Sequence, residues 1–165
     1  MPVILGIDPG LQRTGWGIIS KDGVNLHFIA CGTVASDNTR PLAERLLQLH
    51  DGLLEIITHH KPDEAAIEET FVSVNGASTL KLGQARGAIL VTLSLAGLAV
   101  EEYSATQVKK TVVGAGRAEK TQVQAMVDML LPASKSIRKG PDAADALAIA
   151  ICHAHHAAMY TKFYR

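Results

Sequence analysis

The apolar run Val3–Ile7 ends in an aspartate, Asp8, which is followed directly by Pro9 and Gly10. An apolar run that stops at a turn signal is typical of a buried strand. A carboxylate at the end of such a strand is unfavourable unless a partner binds it. We expect Pro9 and Gly10 to form a type II turn, with Gly10 at a positive φ, that holds the strand end rigid. A fold for this chain must therefore provide a partner for Asp8.

Length and composition describe an ordered globular protein. The chain has 165 residues, of which 47% are apolar, and is long enough to bury a compact core. It begins without a secretory signal pattern, and its longest uncharged stretch, 87–100, is too short to span a bilayer. We therefore expect a cytoplasmic protein with no membrane partner. Cys31 and Cys152 lack the spacing of metal ligands, and we expect both in the core.

The order of predicted strands and helices indicates the fold class. Three strand patterns come first, at Pro2–Asp8, Thr14–Ser20 and Leu26–Thr33, and a hairpin turn joins the last two. Helical patterns then alternate with strand patterns. These later elements are a helix between Pro41 and Pro62, a strand at Asp63–Glu68, a helix at Asn75–Ala96, a strand at Leu98–Tyr103, and helices at Ala105–Val112, Lys120–Leu131 and Pro141–Ala158.

Such an order predicts an α/β protein with a mixed five-stranded sheet, in which three antiparallel strands are followed by parallel ones and helices flank the sheet. It is an order that the ribonuclease H-like fold uses. The sequence has no internal repeat of fixed period. We expect a single domain over residues 1–158 and a short C-terminal tail over residues 159–165.

Four acidic residues are expected at one edge of this sheet. Asp8 and Glu68 end strands one and four, so their carboxylates meet if these strands are neighbours, and Gly6 leaves room beside Asp8. Asp142 and Asp145 project from one face at the start of the last helix. Converging carboxylates repel unless cations lie between them, and their oxygens suit Mg²⁺ or Mn²⁺. A pair of such ions would stabilise the attacking and leaving oxygens of a phosphodiester.

The acidic residues also have structural interpretations. An aspartate before Pro-Gly is more often a turn residue, and acids at a helix start are commonly caps that complement the helix dipole. Strand alternation alone leaves open whether Glu68 or the adjacent Glu69 points into the site. It is the complete set of acids that favours a metal site.

Charge is distributed unevenly although the formal net charge is zero. Residues 1–80 carry 5 Lys/Arg and 10 Asp/Glu, whereas residues 81–139 carry 9 Lys/Arg and 4 Asp/Glu. This asymmetry indicates a basic binding face beside an acidic site, although a solvated helix face gives the same count.

Six sequence blocks, in this order, resemble the RuvC family of Holliday-junction resolvases. The blocks are ILGIDPG followed by TGWG, AIEETF, LKLGQARG, QVKKTVVGAGRAEKTQVQ and DAADALAIAICH, and they span residues 3 to about 156. The resemblance implies a homodimeric, metal-dependent crossover junction endodeoxyribonuclease with a ribonuclease H-like fold. Such enzymes nick two strands of like polarity symmetrically and leave 5′-phosphate and 3′-hydroxyl ends. The resemblance also suggests a branch-migration helicase as a partner, although no motif shows that contact.

Carried over by motif, the resemblance assigns roles to individual residues. The catalytic and metal-binding carboxylates are Asp8, Glu68, Asp142 and Asp145, with Mg²⁺ as the expected ion and Mn²⁺ as a substitute. Lys109 and Lys120 are expected near the scissile phosphate, where a fixed ammonium offsets charge in the transition state. The predicted contacts to DNA are Phe71, Lys81, Arg86, Lys109, Lys110, Arg117 and Lys120. Five basic residues are either nonspecific contacts to the DNA backbone or solvated residues, namely Lys110, Arg117, Lys135, Arg138 and Lys139.

The loop after strand four has a predicted stacking residue and two departures from the family pattern. Phe71 is implied to stack on a base at the junction centre, whereas without the family it would be assigned to the core. Glu69 stands where the family usually has glutamine, and we expect it to face solvent. Val74 stands where relatives often have a basic residue.

Two further features remain open at the level of sequence. Gly83 and Gly87, four residues apart, would let helices approach closely, either within one subunit or across a dimer. His153, His155 and His156 lack the helical spacing of paired metal ligands, which favours surface or core roles.

Two other function classes compete with a nuclease. A phosphotransferase of the sugar kinase and actin type would need a second domain and a nucleotide site, for which the chain is too short. A module that binds branched DNA without cutting it would be expected to lack some of the four acids. Because no Ser–His or Cys–His arrangement suggests a covalent nucleophile, we expect metal-assisted hydrolysis.

Overall fold

The computed structural model describes residues 1–69 and 73–163 of the chain. Strands and α-helices follow one another in these residues much as the hydrophobic patterns predict. In chain order they are β1 Val3–Asp8, β2 Arg13–Asp22, β3 Asn25–Ala35, α1 Leu42–His60, β4 Glu64–Glu68, α2 Gly76–Leu95, β5 Ala99–Tyr103, α3 Ala105–Val113, α4 Lys120–Leu130, a 3₁₀ turn at Pro132–Ser134, and α5 Pro141–Phe163.

The strands form one mixed sheet in the order β3-β2-β1-β4-β5. β1 pairs antiparallel with β2, and β2 pairs antiparallel with β3. β4 runs parallel to both β1 and β5. The prediction of three antiparallel strands followed by parallel ones is confirmed. β1 lies at the centre, so its carboxyl end is bordered by β2 on one side and by β4 on the other.

Helices cover both faces of the sheet, as a sheet with apolar residues on both faces requires. On one face, Leu53 of α1 and Ile89 of α2 pack against Leu5 and Ile67. On the other face, α3, α4 and α5 enclose a second core that includes Leu147. Every residue of α5 from Ala146 to Cys152 is buried. α5 is therefore the central helix of its layer.

Glycines of β1 and β2 allow α5 to lie directly on the sheet. A Cβ atom at Gly6 would come within 2.2 Å of the carbonyl oxygen of Ala146. A Cβ atom at Gly15 would come within 2.2 Å of the carbonyl oxygen of Asp142. Side chains cannot approach backbone atoms so closely, so only glycine admits the helix at these two positions. The room that Gly6 was predicted to leave beside Asp8 is filled by the backbone of α5.

The turn after β1 differs from the predicted type II turn, because Gly10 does not adopt a positive φ. Thr14, which is buried, bridges the turn: its hydroxyl donates to the Gly10 carbonyl (2.8 Å) and accepts from the Gly10 amide (3.2 Å). A Cβ atom at Gly10 would lie 2.2 Å from the Arg13 carbonyl oxygen. Gly10 is thus required for a close backbone approach and not for its φ angle.

Three other expectations concern the ends and the surface of the fold. α5 continues to Phe163, past the boundary predicted at residue 158, because no glycine or proline follows Pro141 to stop it. Cys152 is buried and Cys31 is half-buried against the same core, and both are free thiols. Of the helices in residues 1–69 and 73–163, none has an apolar stretch long enough to cross a bilayer.

Replacing Gly6 by alanine is expected to destabilise the protein by about 1–3 kcal/mol, because the added methyl group must push α5 off β1. Urea denaturation in the presence of a chelator measures the change. Gly76→Ala at the start of α2 is the matched control, since a Cβ there meets no atom within 4 Å. A Gly6→Ala protein as stable as Gly76→Ala would contradict the close contact.

Candidate active site

Three aspartates meet where β1 ends against the first turn of α5. One carboxylate oxygen from each of Asp8, Asp142 and Asp145 lies within 4.8 Å of the others. Asp8 is the last residue of β1, and the two other aspartates follow Pro141, where α5 begins. All three side chains are half-buried. This arrangement brings together three of the four predicted carboxylates.

Glu68 joins the cluster from the neighbouring strand. The parallel register pairs Ile7 with Ile67, so Asp8 and Glu68 end adjacent strands at the same edge. Glu68 is half-buried and lines a cavity together with Asp8 and Asp145, whereas Glu69 is exposed to solvent. The alternation of the strand therefore turns Glu68 toward the site, and the expectation that Glu69 faces solvent agrees with the structure.

Burial and mutual repulsion disfavour the charged forms of these carboxyl groups. Burial, followed by the charges of Glu68, Asp145 and Asp142, raises the pKa of Asp8 from 3.8 to about 7. Burial, and then the Asp145 charge, raises the pKa of Glu68. The pKa of Asp145 is also raised by burial, and this effect outweighs the opposing hydrogen bond from Lys120. Positive charge nearby would therefore stabilise the ionised forms of these carboxyl groups.

Two lysines bring positive charge to the same cavity, whose volume is about 230 Å³. Lys120, the first residue of α4, lies with its Nζ atom 2.9 Å from an Asp145 carboxylate oxygen. The hydrogen bond to Asp145 raises the pKa of Lys120. Lys109 of α3 lines the cavity, and its charge opposes the rise in the pKa of Glu68. The structure thus brings both lysines to the cavity that Asp8, Glu68 and Asp145 line, and their position near a scissile phosphate stays a prediction.

The donor set fits hard divalent cations. Carboxylate oxygens that converge from β1 and α5, with Glu68 of β4 in the same cavity, match the ligands that Mg²⁺ and Mn²⁺ prefer. Burial and the charges of the three other acids keep the pKa of Asp8 raised, although the Lys120 charge lowers it. Asp8, Glu68, Asp142 and Asp145 can therefore hold metal ions. Among the described residues, no histidine joins a cluster with metal-binding spacing.

The other predicted DNA contacts lie in different settings. Arg86 is mostly buried, with its Nη2 atom 2.5 Å from Glu102 and its Nε atom 3.5 Å from the Glu68 carbonyl oxygen. Arg138 is paired with Asp128. Phe71 lies outside the described residues. The exposed residues are Lys81, Lys110, Arg117, Lys135 and Lys139, together with Val74.

Several features of the site carry no local sequence signal. The contact between Lys120 and Asp145 joins residues from different helices, and the partner of Arg86 lies on another element. The close approach of α5 has a weak signal, because glycines alternate in the TGWG block while small residues recur along α5. Matching these two patterns would have predicted which helix lies on the sheet.

Fold and site together define a class of protein. The sheet is mixed and five-stranded, and four carboxylates and two lysines lie at one of its edges. This arrangement is characteristic of the metal-dependent nucleases of the ribonuclease H-like fold. The sequence model of the family described as "Crossover junction endodeoxyribonuclease RuvC" matches residues 4–153. The chain belongs to this family, and it is an endodeoxyribonuclease.

Curated relatives support this assignment over most of the chain. The "Crossover junction endodeoxyribonuclease RuvC" of Azorhizobium caulinodans is 57% identical over 153 residues, which are 93% of this chain and 89% of the relative. The protein of the same name from Rhodopseudomonas palustris is 60% identical over 93% of this chain and 87% of its own length. Such coverage leaves little of either relative unmatched.

Solved structures agree with the fold. The structure of "T. thermophilus RuvC in complex with Holliday junction substrate" is 34% identical to this chain, covers 98% of both chains and superposes with a TM-score of 0.90. The yeast mitochondrial Holliday junction resolvase Ydc2 is 13% identical, with a TM-score of 0.71 over 97% of this chain and 82% of its own. The second likeness supports the fold alone.

Asp8 should make the stability of the metal-free protein depend on pH. Between pH 3.8 and about 7, folded Asp8 holds a proton that the unfolded chain has lost, so the free energy of unfolding falls as pH rises. Asp8→Asn should therefore stabilise the metal-free protein at pH 8, by about 2–4 kcal/mol, and have little effect at pH 4. Thermal unfolding with chelator at both pH values measures this. An Asp8→Asn protein less stable than wild type at pH 8 would contradict it.

Proposed function

We propose that this enzyme resolves four-way (Holliday) DNA junctions by symmetric nicks in two strands of like polarity, leaving 5′-phosphate and 3′-hydroxyl ends. The observation that carries the proposal is the convergence of Asp8, Asp142 and Asp145 beside Glu68, on a chain of the RuvC family. Substrate selectivity is supported by the 34% identity to a RuvC whose structure contains a Holliday junction substrate. Recombination and DNA repair are the processes that need such an activity.

The four carboxylates are proposed to hold two Mg²⁺ ions, with Mn²⁺ as a substitute. Bound divalent ions supply an activated water and offset negative charge on the leaving oxygen. The charges of all three other acids act on Asp8 and raise its pKa. It must lose its proton to act as a ligand, so metal binding should strengthen as pH rises through about 7.

Lys109 and Lys120 are proposed to contact the scissile phosphate. Their side chains line the same cavity as Asp8 and Glu68, so their ammonium groups can face a phosphodiester placed there. Positive groups held in position before the reaction stabilise charge that develops in the transition state. The Lys120 side chain is more than half exposed, so its ammonium can exchange Asp145 for a phosphate oxygen.

DNA binding is proposed to extend from this cavity over the basic surface. Lys110 and Arg117 are exposed and lie between the two lysines of the site in sequence. Lys81 is exposed on α2. Contacts of this kind bind the phosphate backbone and weaken with salt. Phe71, three residues after Glu68, is proposed to stack on a base at the junction centre. Arg86 stays a predicted contact, although Glu102 engages its guanidinium.

A homodimer is proposed to form through α2. Leu80, Val91 and Leu95 are 63%, 57% and 75% exposed on this helix, and no atom lies within 4 Å of a Cβ built at Gly83 or Gly87. Large apolar side chains beside an open strip of glycine would let a second helix approach closely. A two-fold dimer would present two sites to a two-fold substrate. We also propose a cytoplasmic location, which suits an enzyme that acts on DNA junctions. A branch-migration helicase is proposed as a partner through family resemblance only.

Asp8→Asn is expected to abolish cleavage and to leave junction binding within about twofold, because the variant loses a metal ligand but no contact to the phosphate backbone. A synthetic four-way junction, labelled strand by strand, is incubated with Mg²⁺, Mn²⁺ or chelator, beside a linear duplex. Wild type should give paired symmetric nicks in the junction alone, and only with metal. Asp51→Asn, an exposed aspartate of α1, is the matched control.

Two results would contradict this assignment. Cleavage by a folded Asp8→Asn protein would exclude the metal role of Asp8. Tight junction binding without product under every metal would exclude the nuclease and favour a module that only binds.

Val91→Asp is expected to convert the dimer to monomers, since it places a charge in the centre of the proposed interface. Light scattering measures the mass, and the junction assay should then show single unpaired nicks. Met129→Asp on α4 is the control, because Met129 is 73% exposed and lies outside α2. A Val91→Asp protein with the mass of wild type would rule out this face.

A further inference from the structure

His153 is a buried histidine of α5 that is hydrogen-bonded through both ring nitrogens. Only 5% of the residue is exposed. Its Nε2 atom lies 2.8 Å from a carboxylate oxygen of Glu64, and its Nδ1 atom lies 2.9 Å from the hydroxyl of Tyr103. An imidazole protonated at Nε2 satisfies both contacts, because Nε2–H donates to Glu64 while Nδ1 accepts from the Tyr103 hydroxyl. Residues of three different elements thus meet at one ring.

These contacts join the elements that bear the catalytic carboxylates. Glu64 is the first residue of β4, the strand that ends with Glu68. Tyr103 ends β5, is paired with Glu68 in the sheet register, and accepts a hydrogen bond from the Glu69 amide through its carbonyl oxygen. His153 lies on α5, two turns after Asp145. A single imidazole therefore links α5 to both strands that fix the position of Glu68.

His156 extends the network to α3. Its ring stacks on Tyr103 with centroids 5.3 Å apart, and its Nε2 atom lies 3.1 Å from the Thr111 hydroxyl. Thr111 lies in α3, the helix that carries Lys109. These contacts thus hold α3, and with it Lys109, against α5.

We propose that His153 is a positioning residue, which sets the distance between the aspartates of α5 and Glu68 by holding α5 against β4 and β5. Glycines fix α5 over β1 and β2, where Asp8 lies. β4 is held to β1 by the sheet register, and the His153 contacts add a direct link from α5 to β4 and β5. Like charges on Glu68 and Asp145 repel one another, and the His153 contacts oppose their separation.

Direct measurement of metal binding tests this role without cleavage. His153→Phe removes both hydrogen bonds and keeps an aromatic ring of similar size. The expected result is Mn²⁺ affinity that is about 10-fold weaker, as is typical when a group that orients metal ligands is lost. Mn²⁺ titration of the full chain, followed by electron paramagnetic resonance of the free ion, gives the affinity.

Conservative variants separate positioning from simple loss of packing. His153→Gln can place an amide N–H near the former Nε2 position and donate to Glu64, so it should recover Mn²⁺ binding to within about threefold of wild type. Thr92→Val is the control for stability, because it removes the buried hydrogen bond between His50 and Thr92 (2.7 Å) on the opposite side of the sheet. Its melting temperature should fall while Mn²⁺ affinity stays unchanged.

This inference rests on the proposed metal-dependent nuclease, and junction assays keep the two separate. His153→Phe should lower the single-turnover cleavage rate about 10-fold and leave the Kd for the junction within about twofold. If wild type binds Mn²⁺ but does not cut junctions, the proposed function fails while the binding data still test His153. Wild-type Mn²⁺ affinity in a folded His153→Phe protein overturns the inference, as does an equal loss of Mn²⁺ affinity in Thr92→Val.

Discussion

The contact between α5 and the glycines of β1 and β2 is the interaction on which this structure depends. Gly6 and Gly15 let the backbone of α5 rest on the sheet at a distance that no side chain permits. Asp142 belongs to the first turn of α5, directly over Gly15, and Asp8 is paired with Gly15 in the register. The packing contact therefore also brings Asp142 close to Asp8. If side chains at Gly6 and Gly15 held α5 further from the sheet, Asp142 and Asp145 would no longer lie beside Asp8.

Bringing these acids together opposes folding, and the rest of the layer compensates for it. The pKa of Asp8, raised to about 7, expresses the combined effect of burial and of three like charges. Against it stand the apolar burial of α5, the Lys120 ion pair and the His153 contacts. Repulsion among carboxylates is common in sites that bind a cation, because the bound cation relieves it.

Much of the fold and of the site was predictable from sequence, for a physical reason. Hydrophobic periodicity reports which face of each element is buried, so the strands, the helices and their order along the chain follow from local patterns. Asp8 and Glu68 were predictable because parallel strands bring their carboxyl ends to one edge. The positive φ predicted for Gly10 was wrong, because the side chain of Thr14, four residues away, bridges the turn instead.

Contacts between distant elements were not predictable in the same way. The pairs Lys120–Asp145 and His153–Glu64 depend on how helices are seated on the sheet, to within a fraction of a helical turn. No local pattern carries that information. The family resemblance, by contrast, identified Glu68 and not Glu69 as the site residue. A family motif marks the residue that faces the site even where the local strand pattern leaves that choice open.

α2 connects the proposed interface to the site within a single rigid element. Its inner face packs Ala85 and Ile89 into the core, and its outer face exposes Gly87 and Val91. Between them, Arg86 reaches the carbonyl oxygen of Glu68. A second copy docked on the outer face would lie across α2 from the end of β4. The distance between the two sites of a dimer would then be set by packed secondary structure, as symmetric cutting of a two-fold junction requires.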